Sequence, residues 1–464
     1  MKKILLFGAG KSATCLIRYL VEATAVRNWQ LVVAESNLSL AQSKIGAAPH
    51  ATAVALQVEN ESERNDLVCE ADIVISLLPP ALHFLVAGSC LALHKDLLTA
   101  SYLDDKIKAL EPAIRAKGLL FLCEMGLDPG IDHMSAMQLI HRVKGEGGRI
   151  LSFRSHTGGL VAPESDDNPW HYKISWNPRN VVLAGSAGAS YKEDGRIITR
   201  SYEELFEKCA EVRIEGLAPL AWYPNRDSLS YIPVYGLEEA ATFIRTTLRY
   251  PSFCHAWKSI VRAGLTDDKS LVRQPSAPAV QAASSDNRGA HPDFGAGDPS
   301  GKLDFAAWSA PVLPYVGVDN RQQLAFLGLF DQIPVPPALP TSADILQYLL
   351  ETRLAMRSGD KDMIVMLHEI VYTAAEARPS GPTGSDPVAP ARKEITSSLI
   401  VKGEDHLLTA MAKTVGLPLG IAAILILEGK MKLKGLHIPI VPEIYDPVLR
   451  ELAGQGIRFT ETEG

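Results

Sequence analysis

Through the first quarter of the chain, short apolar runs alternate with stretches whose apolar residues recur every three or four positions. Ile4–Phe7, Leu31–Ala34, Ile73–Leu78, Asp96–Ala100 and Leu119–Cys123 are short and almost wholly apolar, as strands covered on both faces must be. Between them, Leu16–Glu22 and Leu82–Leu93 carry helical spacing. Alternation of this kind predicts an α/β fold built on a Rossmann-type, doubly wound parallel sheet.

After residue 130 the pattern loosens. Residues 150–250 mix strand-like segments with polar, glycine-rich loops, Phe253–Ala263 and Ser342–Met356 look helical, and Met363–Leu367 and Ser397–Val401 resume strand character. Residues 274–302 are rich in Pro, Ser, Ala, Gly and Asp and read as a mobile loop or linker. The organisation predicted is threefold. Residues 1–128 with about 405–464 form the dinucleotide-binding domain; about 129–250 with 358–404 form an α+β substrate domain; about 251–357 form a small helical insertion containing the 274–302 loop.

A length of 464 residues exceeds one ordinary core and suits about three domains. Hydrophobic content of 47%, charged content of 21% and a net charge of −7 describe a soluble globular protein, with nothing to attract nucleic acid or an anionic membrane. The six cysteines are scattered without a C-x-x-C pair, which argues against a zinc centre or a disulfide framework and for a reducing compartment. No metal site is expected. The apolar start ends at Phe7, too soon for a signal peptide, and the run Ile421–Leu427 falls far below the ~20 residues that span a bilayer. A cytoplasmic protein is expected.

Gly8-x-Gly10-x-x-Ala13 follows the first strand and opens a helix, the context a dinucleotide fingerprint requires. Gly8 permits the turn, Gly10 lets the pyrophosphate approach, and Ala13 allows helix and strand to pack closely. Lys11 and Ser12 supply N–H groups at the helix start. A phosphate loop is excluded, because Leu5 stands where its first glycine would be. Glu35 ends the second strand, where a carboxylate receives ribose hydroxyls and repels a 2′-phosphate, so NAD is favoured over NADP.

Ligands of an open α/β sheet bind beyond the carboxyl ends of its strands. Three ends qualify: Ser76-Leu77-Leu78, Ser101-Tyr102, and Gly126-Leu127-Asp128-Pro129-Gly130. Asp128 read alone is more readily a helix cap than a catalytic carboxylate, and only its combination with the other strand ends favours function. Farther on, Arg226 and Arg249 sit among aromatic and turn residues, a setting suited to gripping carboxylates in a bidentate manner.

These segments, with Gly158-Gly159-Leu160-x-Ala162-Pro163-Glu164, Asp167-Asn168-Pro169, Tyr172-Lys173-x-Ser175-Trp176, Tyr223-Pro224-Asn225-Arg226-Asp227-Ser228, Thr247-Leu248-Arg249-Tyr250, Lys361–Met366 and Ala410–Pro418, resemble the saccharopine dehydrogenase (L-glutamate-forming) family across nearly the whole chain except 274–302. The resemblance implies NAD(P)-linked oxidation of saccharopine to L-glutamate and 2-aminoadipate 6-semialdehyde, or the reverse. It implies that Arg226 and Arg249 hold substrate carboxylates, with Ser101, Asn168, Lys173 and Thr247 as polar neighbours. Tyr102 and Asp128 are then the acid/base candidates. Gly8, Gly10, Lys11, Ser12, Ala13, Glu35, Ser76, Leu77, Leu78, Leu127 and Asp128 would line the cofactor. Family members often carry Cys where this chain has Thr157, so the role of that thiol is lost or falls to Thr157. Fungal members carry an arginine near the place of Glu35, which sets their NADP use apart from this chain. A homodimer is compatible with the reading. The alternatives are another amine or imine dehydrogenase, of the carboxynorspermidine type, and a catalytically silent NAD(P)-sensing scaffold.

Overall fold

The computed structural model describes residues 1–272, 303–374 and 391–464; the predicted 274–302 loop lies outside the described residues. The amino-terminal part contributes β1 (Lys3–Phe7), β2 (Gln30–Glu35), β3 (Ala51–Ala55), β4 (Ile73–Ser76), β5 (Asp96–Thr99) and β6 (Leu120–Leu122). The middle contributes β7 (Arg149–Val161), β8 (Ala189–Glu193), β9 (Arg196–Arg200), β10 (Ala210–Val212), β11 (Leu220–Pro224), β12 (Thr242–Arg249), β13 (Asp362–Thr373) and β14 (Arg392–Lys402). Near the carboxyl end come β15 (Gly435–His437) and β16 (Thr460–Glu463).

A seven-stranded parallel sheet runs β15-β6-β5-β4-β1-β2-β3, with its order reversing between β1 and β4. All five anticipated strands are present. Three end earlier than their apolar runs: Leu77 and Leu78 lie past β4, Ala100 past β5 and Cys123 past β6. Escaping the sequence reading were β3, a half-exposed edge strand, and β15, only three residues long; neither carries a full apolar run. The helix Thr14–Arg27 is twice as long as its apolar signal because its outer face is polar.

The second sheet has nine strands, in the order β10-β11-β12-β7-β13-β14-β16 with β8 and β9 to one side. Its centre is the long antiparallel pair of β7 and β13, with β12 parallel to β7. The helix Ile131–Gly145 packs between the sheets, its residues entering the same core as Leu6, Phe153 and Ile364. A separate aromatic-rich core around Trp170, Trp257 and Trp308 joins the helices Pro251–Arg262 and Ser342–Arg353 to residues 170–206. One difference from the anticipated organisation is at the end of the chain: Thr460–Glu463 leaves the dinucleotide side and adds β16 to the edge of the second sheet. A four-residue exposed strand with alternating Thr and Glu offers no apolar pattern to read.

The apolar carboxyl-terminal run also extends farther than expected. Ala410–Leu427 is one 18-residue helix, long and apolar enough by composition to cross a membrane, yet 83% of it is buried inside the protein. Gly416 and Gly420 bring it against Leu16 and Tyr19 of the first helix. The run is a core helix.

Candidate functional site

The cofactor loop behaves as its glycines require. Gly8 adopts φ +99°, and a Cβ there would lie 2.6 Å from the Leu77 carbonyl oxygen, so the end of β1 can rest on the end of β4 only without a side chain. Gly10 faces open space, with nothing within 4 Å of its absent Cβ. Ala13 is fully buried, while Lys11 is exposed and Ser12 half-buried in the turn Lys11–Ala13. Such a cradle, with the free N–H groups of a helix start above it, fits a pyrophosphate.

Glu35 stands at the end of β2 and accepts hydrogen bonds from Ala9 N (2.8 Å), Ser36 Oγ (2.8 Å) and Asn37 N (3.2 Å). Partial burial raises its pKa, but these donors outweigh burial and hold it below the ordinary carboxylate range. Lys44, unnoticed in the sequence, ties the loop from beneath by donating to Gly10 O (2.5 Å) and Thr14 Oγ1 (2.9 Å). Burial brings its pKa down to about 8, against the opposing pull of Glu35.

The Gly126–Gly130 turn is locked by its own backbone. Gly126 N donates to Pro129 O, Ile131 N to Gly126 O, and Asp132 N to Leu127 O. Gly130 has φ +147°, and a Cβ would fall 2.0 Å from Gly126 O. The Asp128–Pro129 bond is cis. The capping role goes to Asp132, which accepts from Gly130 N at 2.6 Å. Asp128 is thereby left for other work. Tyr102 Oη donates to Asp128 Oδ1 (2.8 Å), and Arg245 Nη2 donates both to that oxygen and to Asp132 Oδ2, each at 2.7 Å.

Arg245 is 4% exposed and lies over the Tyr231 ring at 4.5 Å. His133 hydrogen-bonds through Nε2 to Glu124 Oε2 (2.7 Å) and through Nδ1 to Tyr235 Oη (2.5 Å). Glu124 also accepts from Leu103 N and Tyr231 Oη. Three carboxylates thus face one guanidinium and one imidazole. Even with both of these charged, negative charge is left over. Burial, with Asp132 alongside, pushes the Asp128 pKa up despite Arg245. Burial also opposes ionisation of Asp132, but His133, Arg245 and the Gly130 N–H together hold it low. The Tyr102 hydroxyl is driven far above its usual range by burial, so it stays protonated. The arrangement pairs one carboxyl that readily takes a proton with one that stays ionised.

On the second sheet, Arg245, Thr247 and Arg249 alternate onto one face of β12, and Thr157 of β7 lies in register with Thr247. Arg249 is 4% exposed; its guanidinium donates to the Leu248 carbonyl and lies over the Tyr172 and Phe253 rings. Its Nε has no partner among the described residues, and neither has the buried Thr157 Oγ1. Arg226 is exposed, in a left-handed conformation (φ +51°), 5.3 Å from the Tyr102 ring centre.

Lys173 and Asn168 are placed differently. Lys173 is buried between Asp167 (2.9 Å) and Asp360 (2.7 Å), which neutralise its charge. The Asn168 amide brackets its own turn, donating to Tyr172 O and accepting from Trp170 N. Ser76 and Ser101 are joined through His83, and the Leu127 side chain is in the core. The sequence reading passed over Arg245, Asp132, His133 and Glu124 as chemistry. The signal was there for two of them: Asp132 is four residues beyond Asp128 on a helix start, and Arg245 has the period-2 spacing of Thr247 and Arg249.

Residues 4–122 match the family model for the saccharopine dehydrogenase NADP binding domain, and residues 126–457 match that for the saccharopine dehydrogenase C-terminal domain. Saccharopine dehydrogenase [NADP(+), L-glutamate-forming] of Saccharomyces cerevisiae is 33% identical over 97% of this chain and 96% of its own. Alpha-aminoadipic semialdehyde synthase of Arabidopsis thaliana is 33% identical over 93% of this chain, which spans only 40% of that longer protein. The apo saccharopine dehydrogenase (L-Glu forming) structure from S. cerevisiae superposes with a TM-score of 0.83 at 30% identity, covering all of both chains.

Proposed function

Given that the chain belongs to the saccharopine dehydrogenase family, we propose that it is an NAD(P)-dependent oxidoreductase acting on a CH–NH bond. Its substrate in this reading is saccharopine, oxidised to L-glutamate and 2-aminoadipate 6-semialdehyde, or formed from them by reduction. The observation that carries the proposal is Arg249, a buried guanidinium with no carboxylate against it among the described residues. A buried charge without a counterion is costly, and a substrate carboxylate would relieve it. Thr157 Oγ1 and Thr247, beside it on the sheet, would complete the grip, and Arg226 would meet a second carboxylate at the cleft mouth.

The Asp128 cluster suits the amine. Its surplus negative charge complements a cationic secondary amine or the iminium derived from it. The amine must lose a proton before the adjacent carbon can lose hydride, and in this reading Asp128, whose pKa is raised, takes that proton. Arg245 and Tyr102 hold the carboxylate in place while it works. When bound, the nicotinamide ring would accept the hydride. After water adds to the imine, the protonated Asp128 can return its proton to the departing glutamate nitrogen.

Glu35, ionised at neutral pH, favours NAD, since its charge opposes a 2′-phosphate. The reading includes a cytoplasmic location, in keeping with six unpaired cysteines. The test is a titration with saccharopine, run in parallel with NAD and NADP and with carboxynorspermidine as the competing substrate, followed at the reduced-nicotinamide absorbance. Turnover of saccharopine with higher kcat/KM for NAD is expected. Dinucleotide binding without saccharopine-dependent reduction would overturn the assignment.

A further inference from the structure

A second polar chain joins the ends of β4 and β5, apart from the carboxylate cluster. His83, 3% exposed at the start of the helix His83–Ala92, hydrogen-bonds through Nδ1 to Ser76 Oγ (2.8 Å) and through Nε2 to Ser101 Oγ (2.7 Å). Ser76 is fully buried, whereas Ser101 is half-buried beside Tyr102. We infer that His83 is a positioning residue that fixes Ser101 as a hydrogen-bond donor toward an oxygen acceptor in the cleft, either a carboxylate of the amino-acid substrate or the carboxamide oxygen of the dinucleotide.

Proton counting gives the direction. Burial lowers the His83 pKa to about 4, against the pull of Asp104, so the ring is neutral near pH 7 and carries one N–H. Two arrangements are then open. In one, Ser76 donates to Nδ1 and Nε2–H donates to Ser101; in the other, both bonds reverse. Ser76 Oγ has no other hydrogen-bond partner among the described residues. If it only accepted, its own proton would be buried and unpaired, which is the costly outcome. Ser101 can turn its proton toward the cleft. The Nε2–H tautomer is therefore selected, and the Ser101 hydroxyl is released to donate. An ammonium group is disfavoured at that point and an anionic or carbonyl oxygen is favoured.

The functional half of this inference rests on the proposed saccharopine reaction; the tautomer does not. The full chain labelled with [15N]histidine, with His83→Gln used to assign the resonance, should show the Nε2–H form of His83 unchanged from about pH 6 to 8. An Nδ1–H form overturns the inference whether or not saccharopine is turned over. In kinetics, Ser101→Ala should weaken one ligand by roughly tenfold. A raised KM for saccharopine with unchanged dinucleotide affinity identifies a substrate carboxylate, and the converse identifies the carboxamide. If neither changes, the donor role is wrong. His83→Leu should match Ser101→Ala, and the double variant should be no worse than either. His83→Gln, whose amide can still donate to Ser101, should recover most of the loss. Independent, multiplicative losses would show that His83 does not act through Ser101. Should His83→Leu fail to fold, the tautomer measured on the unaltered chain decides.

Discussion

Two arginines four residues apart on one strand face do opposite jobs. Arg245 is met by two carboxylates, whereas Arg249 is met by none among the described residues, which in the proposed reading leaves it for a substrate carboxylate. Arg249→Ala should therefore raise the KM for saccharopine by roughly 10–100-fold, the worth of a charge-assisted pair, while NAD affinity holds. An unaltered KM would remove Arg249 from the substrate site. Asp128 carries a different consequence. Its raised pKa means the fold favours the protonated form, so its contribution to stability is full below the ordinary Asp value of about 4 and is lost as pH rises through the folded-state value. Asp132, held low, behaves oppositely: its contribution is present above that ordinary value and is lost as pH falls through its own. Asp128→Asn should accordingly raise the melting temperature at neutral pH but not in acid, while lowering kcat by ~10²-fold or more. A variant less stable at neutral pH than the parent would contradict the charge count.

At the scale of elements, the glycine loop separates two requirements that a motif blends together. Gly8→Ala forces a side chain into a backbone carbonyl at positive φ and should destabilise the whole chain, measurably by thermal unfolding. Gly10→Val meets nothing within the protein, so it should leave the melting temperature nearly unchanged and abolish dinucleotide binding. Equal thermal losses in the two variants would mean that Gly10 is structural. The Gly126–Gly130 turn shows the same economy, since its closed backbone bonds leave Asp128 free and put Asp132 four residues on, facing the same guanidinium.

The whole molecule depends on how its two sheets are held together. The helix Ala410–Leu427 lies against the first helix, and Gly416 has the Leu16 Cβ 2.8 Å from where its own would be. Gly416→Leu should therefore cost ~1–3 kcal/mol by prising the helices apart. Saccharopine KM and NAD affinity should worsen together in that variant, because the proposed site draws residues from both sheets. A change in only one would show that the helix contact does not set the cleft.

What could be read in one dimension was whatever depends on neighbours along the chain. The apolar runs of the first sheet, the glycine clamp, Glu35 at a strand end and the Asp128 turn all rest on local periodicity or backbone conformation, and the structure places them accordingly. Edge strands β3, β15 and β16 escaped because pairing partners, not composition, make them strands. The division of labour among charges was also out of reach. Lys173, Arg226, Arg245 and Arg249 are chemically alike in sequence, and only folding decides which is neutralised by carboxylates, which faces solvent and which is buried with no carboxylate against it among the described residues. Charge interactions fall with distance through space rather than along the chain, and desolvation depends on what covers a group. The tertiary structure alone supplies both.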